Sequence, residues 1–168
     1  ATNLPIVLYN VPARTVVSLS VETIAILSKL PRIVGVKDAT GDLARVALQR
    51  VASGPDFIQL SGEDMTAVGF NAMGGAGCIS VTANVIPGLC ADLQAASLSG
   101  DHPKAVSLQD QLAPLNEVLF LETNPAPVKY AMSLMGLCSD ELRLPLVTPT
   151  DATKARVKAV LRDLWLVD

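Results

Sequence analysis

The sequence contains a single histidine, and that scarcity excludes much metal and nucleophile chemistry. Zinc sites built on histidine clusters are excluded by a lone imidazole, and Ser-His-Asp chemistry is not expected of it. His102, inside Ser-Gly-Asp-His-Pro, reads as part of a loop entering a helix. The three cysteines, Cys78, Cys90 and Cys138, are odd in number and widely spaced. They form neither a CxxC metal pattern nor a disulfide framework, and they read as buried free thiols of a reducing compartment. Aromatic residues make up 4% of the chain, too few to build stacking platforms for bases. Charge is scarce and balanced: 13 Lys and Arg against 16 Asp and Glu give a net charge of -3. No basic stripe follows from that, so nucleic acid is not an expected partner.

Long hydrophobic runs are also missing, although the mean hydropathy of +0.42 is high. The longest uncharged stretch, residues 65–91, is broken by Gly69, Gly74, Gly75, Gly77, Pro87 and Gly88 and carries Asn71 and Asn84. A membrane helix needs about 20 unbroken apolar residues, so the stretch reads instead as a buried strand between two helices. The opening Ala-Thr-Asn-Leu-Pro has neither the basic region nor the apolar core of a signal peptide, and a cytoplasmic protein is expected. It has no initiating Met either, which suits a processed chain or a piece of a longer one.

What is present is a chain of 168 residues, half of them hydrophobic, long enough to bury a core and too apolar to be disordered. Residues 5–10 form a short β-rich run. Residues 20–30 follow with helical spacing of Ile24, Leu27 and Leu30, and Ser20 is placed to cap them. A second strand is expected over Ile33–Asp38. Asp42 then opens a helix with Leu43, Val46, Ala47 and Val51 on one face. Residues 57–61 read as a third strand, 64–73 as a helix, 77–82 as a fourth strand and 86–98 as another helix. The strands are continuous apolar runs, which predicts burial on both faces in a parallel α/β sheet. No Gly-x-Gly-x-x-Gly follows the first strand, so a dinucleotide site is not expected there.

Beyond residue 100 the pattern turns helical. Residues 101–121, 126–135 and 150–166 read as helices, with Pro127 suited to a first turn and Asp151 opening the last. The expected organisation is therefore four βα units over residues 1–100 and a helical C-terminal region over 101–168. A closed (β/α)8 barrel needs about 250 residues, so four units amount to half of one.

Polar residues collect where the strands end: Tyr9 and Asn10, Lys37 and Asp38, then Ser61, Gly62, Glu63 and Asp64. Active sites of parallel α/β folds are assembled at those ends. Lys37 closes a run that otherwise reads as core. A buried ammonium is costly, and a lysine so placed tends toward the neutral amine, a nucleophile for carbonyls. The alternative is an ammonium that reaches solvent or pairs with Asp38. Tyr9 is either a proton relay beside that amine or an aromatic filler of a barrel layer. Arg14 can clamp a carboxylate with both arms of its guanidinium, or be an ordinary solvated arginine. Gly62 and the Gly74-Gly75-Ala76-Gly77 segment allow close approach to backbone, or simply punctuate turns.

Several segments together carry a resemblance. They are Tyr9-Asn10-Val11-Pro12-Ala13-Arg14-Thr15, Gly35-Val36-Lys37-Asp38-Ala39-Thr40-Gly41, Ser61-Gly62-Glu63-Asp64 and the run from Gly77 to Asn84. Asn124-Pro125-Ala126-Pro127-Val128-Lys129 and Leu142-Arg143-Leu144-Pro145 follow in order. Over essentially its whole length the chain resembles the dihydrodipicolinate synthases, also called 4-hydroxy-tetrahydrodipicolinate synthases, of the pyruvate-dependent class I aldolases. The resemblance implies a (β/α)8 barrel with extra C-terminal helices, of which this chain is the C-terminal half. It implies that Lys37 forms the imine with pyruvate and that Tyr9 relays protons. It assigns Arg14 to the carboxylate of aspartate semialdehyde and places Gly62 and Ile79 along the pyruvate pocket.

No metal or cofactor is implied, because the protonated imine is the electron sink. A homodimer or homotetramer, or a complementing N-terminal half, is the implied partner. Sister families, the N-acetylneuraminate lyases and sugar-acid aldolases or dehydratases, share the lysine and tyrosine, and Arg14 within Tyr-Asn-Val-Pro-x-Arg-Thr favours the synthases. The family's Gly-Thr-Thr-Gly-Glu segment and second tyrosine are not found here, and Tyr130, on an expected C-terminal helix, does not replace the latter. Little or no synthase activity is expected of the chain alone. A truncated, non-catalytic fragment is the alternative outside the enzymes.

Overall fold

The computed structural model describes residues 3–168. The first strand, β1 (Ile6–Asn10), is followed by a one-turn helix, α1 (Pro12–Thr15), and by α2 (Val21–Leu27). Next come β2 (Ile33–Asp38), α3 (Ala44–Ser53), β3 (Ile58–Ser61) and α4 (Ala67–Ala72). A short 3-10 turn over Thr82–Asn84 leads to α5 (Pro87–Ser99), α6 (His102–Val118), α7 (Ala126–Leu134) and α8 (Asp151–Asp163). No helix among the described residues is long and apolar enough to cross a membrane.

The three strands are parallel in the order β1-β2-β3. β2 occupies the span its sequence predicts. The expected fourth strand does not form as a strand. Ser61 and Cys78 make an isolated parallel bridge, with Ser61 N donating to Gly77 O at 2.8 Å and Ile79 N to Ser61 O at 2.8 Å. Beyond Ser80 the chain turns into the 3-10 segment, so the ladder stops after one residue.

The chain divides into two compact units. One holds Ala1–Ser80 and Gln94–His102, the other Val81–Leu93 and Pro103–Asp168. In the first unit α2 and α3 pack together, and Ile24, Val36 and Phe57 form a buried cluster with Leu8, Leu19 and Ile33 against it. Each such side chain contributes about 1.5–3 kcal/mol through burial. Ser20 caps α2 as its position predicts, its hydroxyl accepting from Thr23 N at 3.1 Å.

The apolar faces are narrower than periodicity suggests. Leu30 lies beyond the end of α2 and is 52% exposed, and Val51 on α3 is 86% exposed. The buried stripe of α3 runs through Val46 and the polar Gln49 instead. Expected two-sided burial also fails at β1, where Ile6, Val7 and Tyr9 are exposed and only Asn10 is buried. Helices cover one side of the sheet, and the apolar residues of the other side face outward in this chain.

In the second unit, Leu115, Val118 and Leu119 of α6 meet Val128 and Ala131 of α7 and Val157 and Leu161 of α8, with Val85 among them. Thr150 caps α8 by accepting from Thr153 N, and Asp151 sits in its first turn, favourable for the helix dipole. Tyr130 lies on α7, as expected, with Lys154 Nζ 5.8 Å from its ring centroid. Of the cysteines, Cys90 is buried and Cys78 half-buried, but Cys138 is exposed, which corrects the expectation of three buried thiols.

Candidate active site

Strand register brings the chemistry-bearing residues together. Tyr9 pairs with Lys37, and Lys37 with Leu60; one residue further on, Asn10 pairs with Asp38 and Asp38 with Ser61. The ladder continues past the strand ends: Ala39 N donates to Asn10 O at 2.9 Å, Gly62 N to Asp38 O at 2.8 Å and Ile79 N to Ser61 O at 2.8 Å. Tyr9 and Lys37 are thus in register, Gly62 lies two residues beyond the Leu60 partner of Lys37, and Ile79 follows on the neighbouring backbone.

Side chains alternate across a sheet, so adjacent rows point to opposite faces. The Tyr9–Lys37–Leu60 row faces away from the helices. There Lys37 Nζ lies over the Tyr9 ring, 4.2 Å from its centroid, a cation–π contact. Lys37 is half-buried while Tyr9 is 52% exposed, so the phenol stands at the open side of the pair. Gly62 leaves room for the lysine. A Cβ at that position would come within 2.7 Å of Ala39 Cβ and 3.0 Å of Lys37 Cε.

The Asn10–Asp38–Ser61 row faces the helices and is buried, at 1%, 5% and 1% exposure. Asp38 does not pair with Lys37, contrary to one sequence alternative. Its Oδ2 accepts from Arg45 Nε at 2.9 Å and Gln49 Nε2 at 2.7 Å, both on α3. Its Oδ1 accepts from Thr40 N at 2.9 Å and Thr40 Oγ1 at 2.6 Å. Burial opposes ionisation of this carboxyl. The hydrogen bonds from Thr40, Arg45 and Gln49 outweigh burial and hold it below the usual carboxylate range.

Arg14 lies exposed on the single turn α1, with Thr15 Oγ1 donating to Val17 O at 2.7 Å behind it. Val16 closes that turn at φ 60. Ile79 is 45% exposed beside the bridge at Ser61. The Gly74–Gly77 segment connects α4 to that bridge; Ala76 N donates to Gln59 O at 2.8 Å, so it serves as a turn. Among the described residues no group of three or more His, Cys, Asp or Glu is placed to hold a metal ion.

An amine on an aromatic ring, at the C-terminal ends of parallel strands, can attack a carbonyl. Residues 1–164 match the dihydrodipicolinate synthetase family. The chain belongs to that family. It is 59% identical over 165 residues to the 4-hydroxy-tetrahydrodipicolinate synthase of Cereibacter sphaeroides, covering 98% of this chain and 57% of that one. Against the namesake from Parvibaculum lavamentivorans it is 55% identical over 168 residues, covering 58% of the relative. The crystal structure of dihydrodipicolinate synthase from Aquifex aeolicus superposes with a TM-score of 0.96 at 37% identity, over 98% of this chain and 57% of that one. The Thermotoga maritima enzyme gives 0.94 at 39% identity, over 99% and 58%. The family chain described here thus spans little more than half the length of the relatives it matches.

Arg45 and Gln49, unlike the strand-end Asn10, do not stand out in the sequence as site residues. The available signal was the i, i+4 spacing of Arg45 and Gln49 on α3, which puts both on the face that meets Asp38.

Proposed function

We propose that this chain carries the imine-forming part of a 4-hydroxy-tetrahydrodipicolinate synthase, condensing pyruvate with L-aspartate 4-semialdehyde in lysine and diaminopimelate biosynthesis. The observation that carries the reading is the Lys37 amine over Tyr9, in register at the strand ends, with Gly62 keeping space beside its Cε. The family membership and the relatives' names support the choice of substrates.

In this reading the Lys37 amine adds to the ketone carbon of pyruvate, and water leaves to give the imine. Tyr9 passes protons during both steps. The methyl carbon then loses a proton, and the resulting enamine forms a carbon–carbon bond to the aldehyde. Arg14 holds the carboxylate of aspartate semialdehyde with its planar fork. Gly62 and Ile79 line the pyruvate pocket. The semialdehyde's own amine displaces Lys37 as the product cyclises, which restores the free lysine. No cofactor or metal takes part, since the imine itself accepts the electrons.

Residues 1–100 are assigned to four βα units of a (β/α)8 barrel and residues 101–168 to its C-terminal helices. The expected setting is the cytoplasm. Partners are a second copy, as dimer or tetramer, or a polypeptide supplying an N-terminal half. The chain on its own is expected to show little or no synthase turnover, because the Thr-Thr segment and second tyrosine of the family are not among its residues.

The test is to incubate the chain with pyruvate and borohydride and to take an intact mass and a peptide map. A reduced pyruvyl adduct on Lys37 supports the reading. A folded chain that forms none overturns it. Adding aspartate semialdehyde, with N-acetylneuraminate in a parallel arm, separates the synthase from the sister lyases.

A further inference from the structure

The two proposed reacting residues are each followed in sequence by a buried polar residue, and both of those residues lead to Leu19. Asn10, next to Tyr9, accepts from Leu19 N through Oδ1 at 3.0 Å. Asp38, next to Lys37, accepts from Arg45 Nε at 2.9 Å, and Arg45 Nη2 donates to Leu19 O at 2.8 Å. Leu19 is therefore gripped at both its N–H and its C=O. It stands at the far end of the segment, residues 11–19, that carries Arg14. The near end is anchored by Asn10 itself, whose carbonyl accepts from Ala39 N at 2.9 Å.

Most of the segment between these anchors is exposed. Its internal order comes from Thr15 Oγ1, which donates to Val11 O at 3.2 Å and Val17 O at 2.7 Å, and from the left-handed Val16. Those contacts shape the turn but do not attach it to the sheet. The attachment runs through Arg45 and through Asn10, whose Nδ2 also donates to Ser18 Oγ at 3.3 Å. Only a guanidinium can serve at position 45, because Nε and Nη2 address acceptors on two different segments at once.

We propose that Arg45 is a positioning residue for the second substrate: with Asn10 it clamps the Leu19 peptide and so fixes where Arg14 presents its guanidinium. The proposal rests on the carboxylate-binding role given to Arg14 above. It separates the two half-reactions. Pyruvate capture depends on Lys37 and Tyr9, which face the other side of the sheet, whereas aldehyde capture depends on the clamp.

Arg45→Lys keeps a cation for Asp38 and loses the bridge to Leu19. Asn10→Ala removes the other grip, and Val17→Ala is the control, since that side chain is exposed and takes part in neither Leu19 bond. Two quantities are read for each chain. The first is amide hydrogen exchange across residues 13–19. The second is the pair of half-saturation concentrations: pyruvate for forming the borohydride-trapped adduct, and aspartate semialdehyde, added before the borohydride, for lowering the yield of that adduct in a single turnover. Arg45→Lys and Asn10→Ala are expected to speed exchange in that segment about tenfold and to raise the aldehyde value about tenfold, with the pyruvate value within about twofold of the parent. Val17→Ala is expected to match the parent. Unchanged exchange in both variants overturns the proposal, and so does an equal loss for both substrates, which is what a merely structural role would give. If the parent chain forms no pyruvyl adduct, the imine reading falls on that result alone, and the clamp is then judged by exchange, where unchanged protection overturns it.

Discussion

The Cε of Lys37 would stand 3.0 Å from a Cβ at position 62, and glycine is what keeps that space open. The same Cβ would meet Ala39 Cβ at 2.7 Å, so Gly62→Ala has no direction in which to relax cheaply. The variant is expected to lose about 1–3 kcal/mol of stability through overpacking. Its rate of borohydride-trapped pyruvyl adduct formation falls at least about tenfold, because the displaced amine no longer meets the carbonyl in line. Chemical unfolding and adduct kinetics measure the two effects separately.

Tyr9 offers Lys37 a ring face, whereas the proposed proton relay needs the hydroxyl. Tyr9→Phe keeps the face and is expected to leave the lysine in place while slowing imine formation by about a hundredfold, a general acid–base contribution. Tyr9→Ala removes both. Equal adduct rates in Tyr9→Phe and the parent chain contradict the relay.

Asp38 gives the fold an acid-sensitive step. Its carboxyl titrates lower in the folded chain than in the unfolded one. Its contribution is therefore complete above the unfolded value of about 4 and drains away as pH falls through the folded value. Asp38→Asn is expected to cost about 3 kcal/mol at pH 7, where a buried ion pair is broken. Urea unfolding between pH 7 and 2 then shows the gap between parent and variant closing below about pH 4, the range in which the parent loses this term.

Val16 is β-branched and 90% exposed, yet it holds a left-handed backbone with φ 60. An L side chain in that region costs about 1–2 kcal/mol, and Val16→Gly gives back part of that as unfolded-state entropy. The variant is expected to be more stable by about 1 kcal/mol, with no packing lost; thermal unfolding checks it.

The placement of Lys37 at a strand end was legible from residue type alone. Lys37 stood out because a cation ended an apolar run, and β2 formed over the expected span. What could not be read was which neighbours a polar side chain would choose. Asp38 follows Lys37 in sequence but points to the opposite face and finds Arg45, seven positions on. Gln49 was invisible to an apolar template for α3 although it is fully buried. The fourth strand was overread because an apolar run records burial, not pairing: Cys78 makes one bridge and the chain then turns away. The exposed side of β1 was misread for the same reason, since hydrophobicity shows what a strand can bury and not what this chain offers to cover it.

The alternation of Lys37 and Asp38 on opposite faces of β2 has a consequence for how this sequence can change. Inserting or deleting one residue within Ile33–Val36 would trade the two side chains, sending the ammonium toward α3 and the carboxylate to the open face beside Tyr9. The proposed nucleophile and the carboxylate that ties the strand to α3 would swap places in a single step. A change of length anywhere before Lys37 in this strand should therefore abolish adduct formation while leaving the run's hydrophobicity almost unchanged.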